Sequence, residues 1–123
     1  MAIPRDVHIE HCITAPFHVQ VQLDKAAGTP VTGGRILLQG QVVRVFRTES
    51  VLGRELRLGD QVAFPIAVCE RGHAPCGGPA YIYDDVLSGA SYMEVYLHGR
   101  PPNCNLTEFK VLTAPTDEPA IML

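Results

Sequence analysis

The segment Phe17-His18-Val19-Gln20-Val21-Gln22-Leu23 alternates apolar and polar residues without a break. Successive side chains of an extended chain point to opposite faces, so this run specifies a strand with Phe17, Val19, Val21 and Leu23 on one side and His18, Gln20 and Gln22 on the other. The same spacing scatters its apolar residues around a helix, which excludes an amphipathic helix here. One strand cannot cover its own apolar face, so the rest of the chain has to supply partners.

Those partners are legible. Residues Arg35 to Thr48 form a long β-branched and apolar run with Gly40 near its middle and a Val42-Val43 doublet. A glycine inside a long strand marks a bulge or tight bend, and such a bend lets one strand serve two parts of a small barrel. Leu56, Leu58 and a Gly59-Asp60 turn then lead into Val62, Phe64, Ile66 and Val68, which alternate with Gln61, Ala63, Pro65 and Ala67. Pro65 cannot donate to a ladder, so this strand is expected at an edge or with a bulge. Further strands are expected at Ala80 to Tyr83, at Tyr92 to His98 and at Thr107 to Thr113. In the Tyr92 strand, Met93, Val95 and Leu97 oppose Tyr92, Glu94, Tyr96 and His98.

Eleven glycines and ten prolines among 123 residues supply the punctuation, chiefly at Asp24 to Gly34, Glu70 to Pro79 and Pro101 to Asn105, each read as loop. Helix is confined to two stretches, Asp6 to Ala15 and Asp84 to Ala90. In the first, the β-branched Val7, Ile9, Ile13 and Thr14 favour a strand. The reading is a single all-β domain over residues 1–123, a small closed or partly open antiparallel Greek-key barrel. Its tail, from about residue 114, is expected to be mobile unless Ile121 and Leu123 dock.

A net charge of −3 gives no global attraction to phosphate backbones or anionic lipid, so nucleic acid is disfavoured as a partner. Arg44, Arg47, Arg54 and Arg57 nevertheless form a local basic strip. No apolar run approaches the roughly 20 residues of a spanning helix, so a soluble protein is expected. The start Met1-Ala2-Ile3-Pro4-Arg5-Asp6 carries no positive-then-apolar leader. The chain is therefore cytoplasmic if Met1 is the native start, and periplasmic or secreted if an export signal was removed. Cys12, Cys69, Cys76 and Cys104 leave the redox compartment and any pairing open.

The run Gly40-Gln41-Val42-Val43-Arg44-Val45-Phe46, then Leu58-Gly59-Asp60-Gln61-Val62-Ala63-Phe64, Cys69 with Gly77-Gly78, and Gly89 to Tyr92 leading to Tyr96-Leu97 and Cys104, resembles the netrin-type (NTR) domain of tissue inhibitors of metalloproteinases. The resemblance covers about residues 40–104 and implies an oligonucleotide/oligosaccharide-binding (OB) barrel. It also implies an extracytoplasmic module with some cysteines paired. Protease inhibition does not carry over. That family chelates the protease zinc with an amino-terminal Cys-x-Cys, and here the first cysteine is Cys12, followed by Ile13 and Thr14.

Chemistry-bearing clusters are sparse. His8, His11 and Cys12 share a face only on a helix, whereas on a strand His8, Glu10 and Cys12 align. Cys69, His73 and Cys76 are metal candidates with poor spacing, since six residues between the thiols exceed the usual zinc-knuckle separation. A disulfide within that loop, or to Cys104 or Cys12, is the competing reading. Ser88 is read as a turn residue and Asp84-Asp85 as turn carboxylates bonded to nearby backbone. No phosphate loop or dinucleotide fingerprint is present, and no cofactor is expected.

The candidate ligand surface is Tyr92, Glu94, Tyr96 and His98, whose rings can stack on a sugar, base or partner side chain, together with Arg44 and Arg47. The functional expectation is a non-enzymatic binding or protein-interaction module for an unknown protein or small molecule. The alternatives are a small metal-dependent enzyme or sensor, and an OB-type single-strand nucleic-acid binder.

Overall fold

Strand β1 (Phe17–Leu23) buries Phe17, Val19, Val21 and Leu23 in the central core, as its alternation requires. The structure, a computed structural model, describes residues 5–24, 29–31, 35–69 and 81–122. Before β1 lies helix α1 (Arg5–Thr14). After it come β2 (Thr29–Val31), β3 (Arg35–Thr48), β4 (Gln61–Cys69), β5 (Tyr81–Tyr83), helix α2 (Asp84–Gly89), β6 (Tyr92–Arg100) and β7 (Asn103–Leu112).

The strands join in the order β2-β3-β1-β6-β7-β4-β5, and an additional β3–β4 pairing closes β3, β1, β6, β7 and β4 into a ring. Most pairs are antiparallel; β4 runs parallel to β5 and, at the single register Ala63↔Asn103, to β7. The fold is thus a small, mostly β, barrel-like sheet.

Gly40 makes closure possible. The first part of β3 pairs with β4 and the second with β1, and Gly40 belongs to both registers, opposite Val62 on one side and Leu23 on the other. A Cβ at this position would stand 2.8 Å from the carbonyl oxygen of Gln22, a backbone atom that cannot swing away. Only glycine lets the strands cross this closely. Beyond the bend, two register shifts between β1 and β3 leave Val43 and Phe46 unopposed. Bulges of this kind strengthen strand twist and re-aim side chains.

The barrel interior holds the apolar faces of all five ring strands, including Leu38 and Val42 from β3, Val62, Phe64 and Ile66 from β4, and Met93, Val95 and Leu97 from β6. Leu56 from the β3–β4 connection, Ala90 beside α2 and Cys104 of β7 complete it. Pro65 pairs in register with Leu37, without a bulge. On its other flank, β4 is bridged at Ala63 and from Ala67 to Cys69, so Pro65 stands in a local gap where no ladder donor is required.

Three sequence expectations need correction. Residues 5–14 are helical rather than extended. Tertiary contacts override the β-branched propensity, because Cys12 and Ala15 pack on Tyr96 and Arg47 collects the terminal carbonyls of the helix. Strand β7 begins at Asn103, which reduces the expected Pro101 to Asn105 loop to a two-residue turn at Pro101 and Pro102. Strand β2 (Thr29–Val31) lies inside the expected Asp24 to Gly34 loop and pairs with β3. The tail meets the condition set for it and docks through Ile121, as described below. Among the described residues no helix is long and apolar enough to cross a membrane.

Candidate functional site

Most of the outward side chains of β1 and β6 are covered rather than open to solvent. His18, Gln20, Glu94 and Tyr96 are all buried, with Gln20 and Glu94 0% exposed. Antiparallel register sets the group: Gln20 lies opposite Glu94 and His18 opposite Tyr96, while on the other flank of β6 Lys110 lies opposite Glu94 and Glu108 opposite Tyr96. A barrel has two surfaces, and the outer one here carries a polar cluster under a cover made by α1 and the C-terminal tail.

Glu94 is the centre of that cluster. Its Oε1 accepts from Gln20 Nε2 at 2.7 Å and from the Ala120 backbone N–H at 2.8 Å. Its Oε2 accepts from the Ile121 N–H at 2.8 Å and stands 3.0 Å from His18 Nε2. Burial pushes this carboxyl up, but the Ala120 amide, the Gln20 side chain, the His18 ring and the Ile121 amide together hold it below its ordinary value of 4.5. The carboxylate is therefore ionised at neutral pH and fully engaged.

Gln20 reads the tail a second time. Its Oε1 accepts from the Thr116 N–H at 2.8 Å and its Nε2 donates to Thr116 Oγ1 at 2.6 Å. Thr116 Oγ1 in turn donates to the Glu118 carbonyl at 2.6 Å, which bends the chain so that Ala120 and Ile121 return to Glu94. Lys110 Nζ donates to the Ala120 carbonyl at 3.1 Å, and Ile121 packs against Cys12, Ala15 and Tyr96. Among the described residues no buried side-chain polar atom lacks a partner, so the polar cluster is closed only because the tail completes it.

The rings add shape. His18 stacks on Tyr96 with centroids 3.9 Å apart and a 19° interplanar angle, and Phe46, carried by the bulge in β3, tilts against His18 at 5.0 Å. Burial raises the Tyr96 phenol above its ordinary value; Cys12 adds to the effect and Arg47 opposes it.

The residues singled out from sequence divide clearly. Glu94 and Tyr96 come together in this cluster, but beneath a cover rather than on an open face. Tyr92 is half-buried opposite Gln22 and Leu112, and His98 is exposed with Nδ1 3.0 Å from Thr107 Oγ1. Arg47 donates to the carbonyls of Cys12, Ile13 and Ala15, which makes it the C-terminal cap of α1. Arg44 donates to the Val43 carbonyl and lies 3.7 Å from Asp117 of the tail. Arg57 is engaged with Glu55 and, together with Arg54, lines an open cavity of about 530 Å³ beside Pro101 and Pro102. The basic strip is thus dispersed over three structural tasks.

Cys69 is disulfide-bonded, which removes its thiolate from any metal site, and Cys12 and Cys104 do not pair with it. His73, Cys76 and the His8 side chain lie outside the described residues. Among the described residues no three His, Cys, Asp or Glu side chains gather in a metal-holding arrangement. Asp84 and Asp85 bond the backbone N–H groups that open α2, and Ser88 donates to the Asp85 carbonyl.

Sequence reasoning placed His18 and Gln20 on the polar side of β1 but missed their role, along with those of Thr116 and Ala120. The available signal was the pairing of a Gln/His face on one strand with a Glu/Tyr face on another. Such groups saturate one another but leave carboxylate lone pairs for a backbone to fill. Comparison of the chain with models of known families, with curated proteins and with solved structures finds no match.

Proposed function

We propose that this protein is a non-enzymatic protein-interaction module whose binding surface is the outer face of β1 and β6, a groove that holds a short irregular polypeptide segment. One observation carries this reading: a buried carboxylate and a buried amide take hydrogen bonds from three backbone N–H groups of a bent segment, the chain's own tail. Backbone capture by side chains is what a closed ring requires, because its strands have few free edges to which a partner could add. The tail is then a resident occupant, held at the effective concentration of a short tether, on the order of millimolar.

The OB assignment is proposed on the closed ring, its single parallel bridge and the helix between β4 and β6. The disulfide at Cys69 favours the extracytoplasmic setting that a netrin-type relation implies. Single-strand nucleic-acid binding is the weaker reading, since Arg47 is committed to helix carbonyls and Tyr96 lies stacked beneath cover.

The test uses the full chain with its tail released by Thr116→Pro, Ala120→Pro and Ile121→Glu. These changes delete two anchoring N–H donors and the apolar contact. A labelled peptide matching residues 114–123 should bind this variant saturably in fluorescence anisotropy and bind the unaltered chain far more weakly. A folded variant, verified by its core amide resonances, that ignores the peptide at millimolar concentration overturns the proposal.

A further inference from the structure

The groove does not read every residue of its occupant equally, and the differences specify a partner. Thr116 is gripped three ways: its N–H and hydroxyl face Gln20, and the same hydroxyl donates to the Glu118 carbonyl. Valine fits the volume but loses both hydroxyl bonds, so this position demands Thr or Ser. At position 120 the N–H goes to Glu94 and the carbonyl to Lys110, which excludes proline. At position 121 the N–H again goes to Glu94 while the aliphatic side chain rests on Cys12, Ala15 and Tyr96. Between these anchors Asp117, Glu118 and Pro119 are exposed; Asp117, its side chain 97% exposed, lies 3.7 Å from Arg44. Exposed pairs of that kind contribute little.

We infer that the groove selects a partner protein presenting a segment of the form Thr/Ser-x-x-x-x-aliphatic, bent after its first residue, in which the last two residues keep their N–H groups and the three middle positions are free. The inference rests on the peptide-binding reading above and deepens it. The tail, Thr116-Asp117-Glu118-Pro119-Ala120-Ile121, is one instance of the pattern, and a partner displaces it by carrying the same anchors. The acidic character of the tail is incidental to recognition. That conclusion runs against the first impression of an acidic peptide opposite Arg44 and Lys110.

The test is a set of ten-residue peptides titrated into the full-length, tail-released variant. Relative to the parent peptide, replacing Thr116 by Val, Ala120 by Pro or Ile121 by Asp should weaken binding on the order of tenfold each, the size of one buried hydrogen bond or apolar contact. Replacing Asp117 by Asn, Glu118 by Gln or Pro119 by Ala should change it less than about threefold. A Thr116→Ser peptide should retain binding, which separates the hydroxyl requirement from mere shape. Binding that follows the acidic residues and fades with salt, while the anchor substitutions do nothing, overturns the pattern but leaves peptide binding intact. Failure of the parent peptide itself overturns the reading beneath it.

Discussion

The two faces of β1 and β6 are sealed by different means. Inward, Val19, Val21, Met93 and Val95 meet other apolar side chains and need nothing from the termini. Outward, Gln20 and Glu94 are just as deeply buried, yet their partners come from a tail that forms no ladder with the barrel. The inner seal is irreversible short of unfolding, because apolar groups have nowhere better to go. The outer seal is conditional, because water can replace every bond the tail makes. Burial alone therefore does not distinguish core from site; what matters is whether the buried group tolerates solvent once its cover leaves.

Truncation on each face tests that asymmetry most directly. Phe64→Ala, inside the ring and 0% exposed, should cost about 3–5 kcal/mol in urea unfolding. Ile121→Ala, beneath the outer cover, should cost less than about 1.5 kcal/mol, since the loss cannot exceed the free energy of docking the tail. Equal costs would make the tail part of the folding core and dissolve the distinction.

The inner face was legible in the sequence because period-two patterning reports burial against a sheet. The runs Phe17 to Leu23 and Met93 to Leu97 point inward as the alternation requires, and Gly40 lies at the bend expected of it. The outer face was not legible in the same way. Polar side chains on a strand imply solvent unless something covers them, and here the cover comes from residues remote in sequence: Gln20 meets Thr116 at a separation of 96 and Glu94 meets Ala120 at a separation of 26. No local pattern encodes such a contact. Helix α1 was missed for a related reason, because its C-terminal cap is Arg47, 32 to 35 residues further on. Alternation thus put Glu94 and Tyr96 on the outer face of β6, where they lie, but did not say what covers them.

A smaller effect sharpens the electrostatic half of the comparison. Glu94→Gln puts an NH2 against donors that all require an acceptor, and should cost about 1–3 kcal/mol with the tail undocked. The pH dependence has the same origin. A carboxyl held below its ordinary 4.5 contributes stability that is fully present above that value and is lost as pH falls through its folded value. Acid should therefore release the tail before the barrel unfolds, seen as loss of exchange protection at the Ala120 and Ile121 amides while Val19 and Val95 stay protected. In the Glu94→Gln variant, whose tail is already undocked, the Ala120 and Ile121 amides should be unprotected at every pH, which assigns their protection to the Glu94 carboxylate. Simultaneous loss of all four amides would mean that the two seals are one cooperative unit.

The least perturbing probe is thiol chemistry, because it leaves the His18, Gln20, Glu94 and Tyr96 side chains unchanged. Cys12 and Cys104 are both buried thiols, one under the outer cover and one inside the barrel. Burial pushes Cys104 up to about 11, so it should resist alkylation at neutral pH until the whole protein unfolds. Burial and the nearby Glu108 also raise Cys12, with Arg47 opposing, but its lid includes Ile121 and opens with the tail. Alkylation followed by mass spectrometry should therefore label Cys12 first. It should go faster in the tail-released variant, and each tenfold gain in rate corresponds to about 1.4 kcal/mol of docking free energy. A Cys12 rate unmoved by tail release would assign the cover to α1 alone. The conditional seal would then reduce to the hydrogen bonds at Gln20 and Glu94, with no apolar anchor for a partner to imitate.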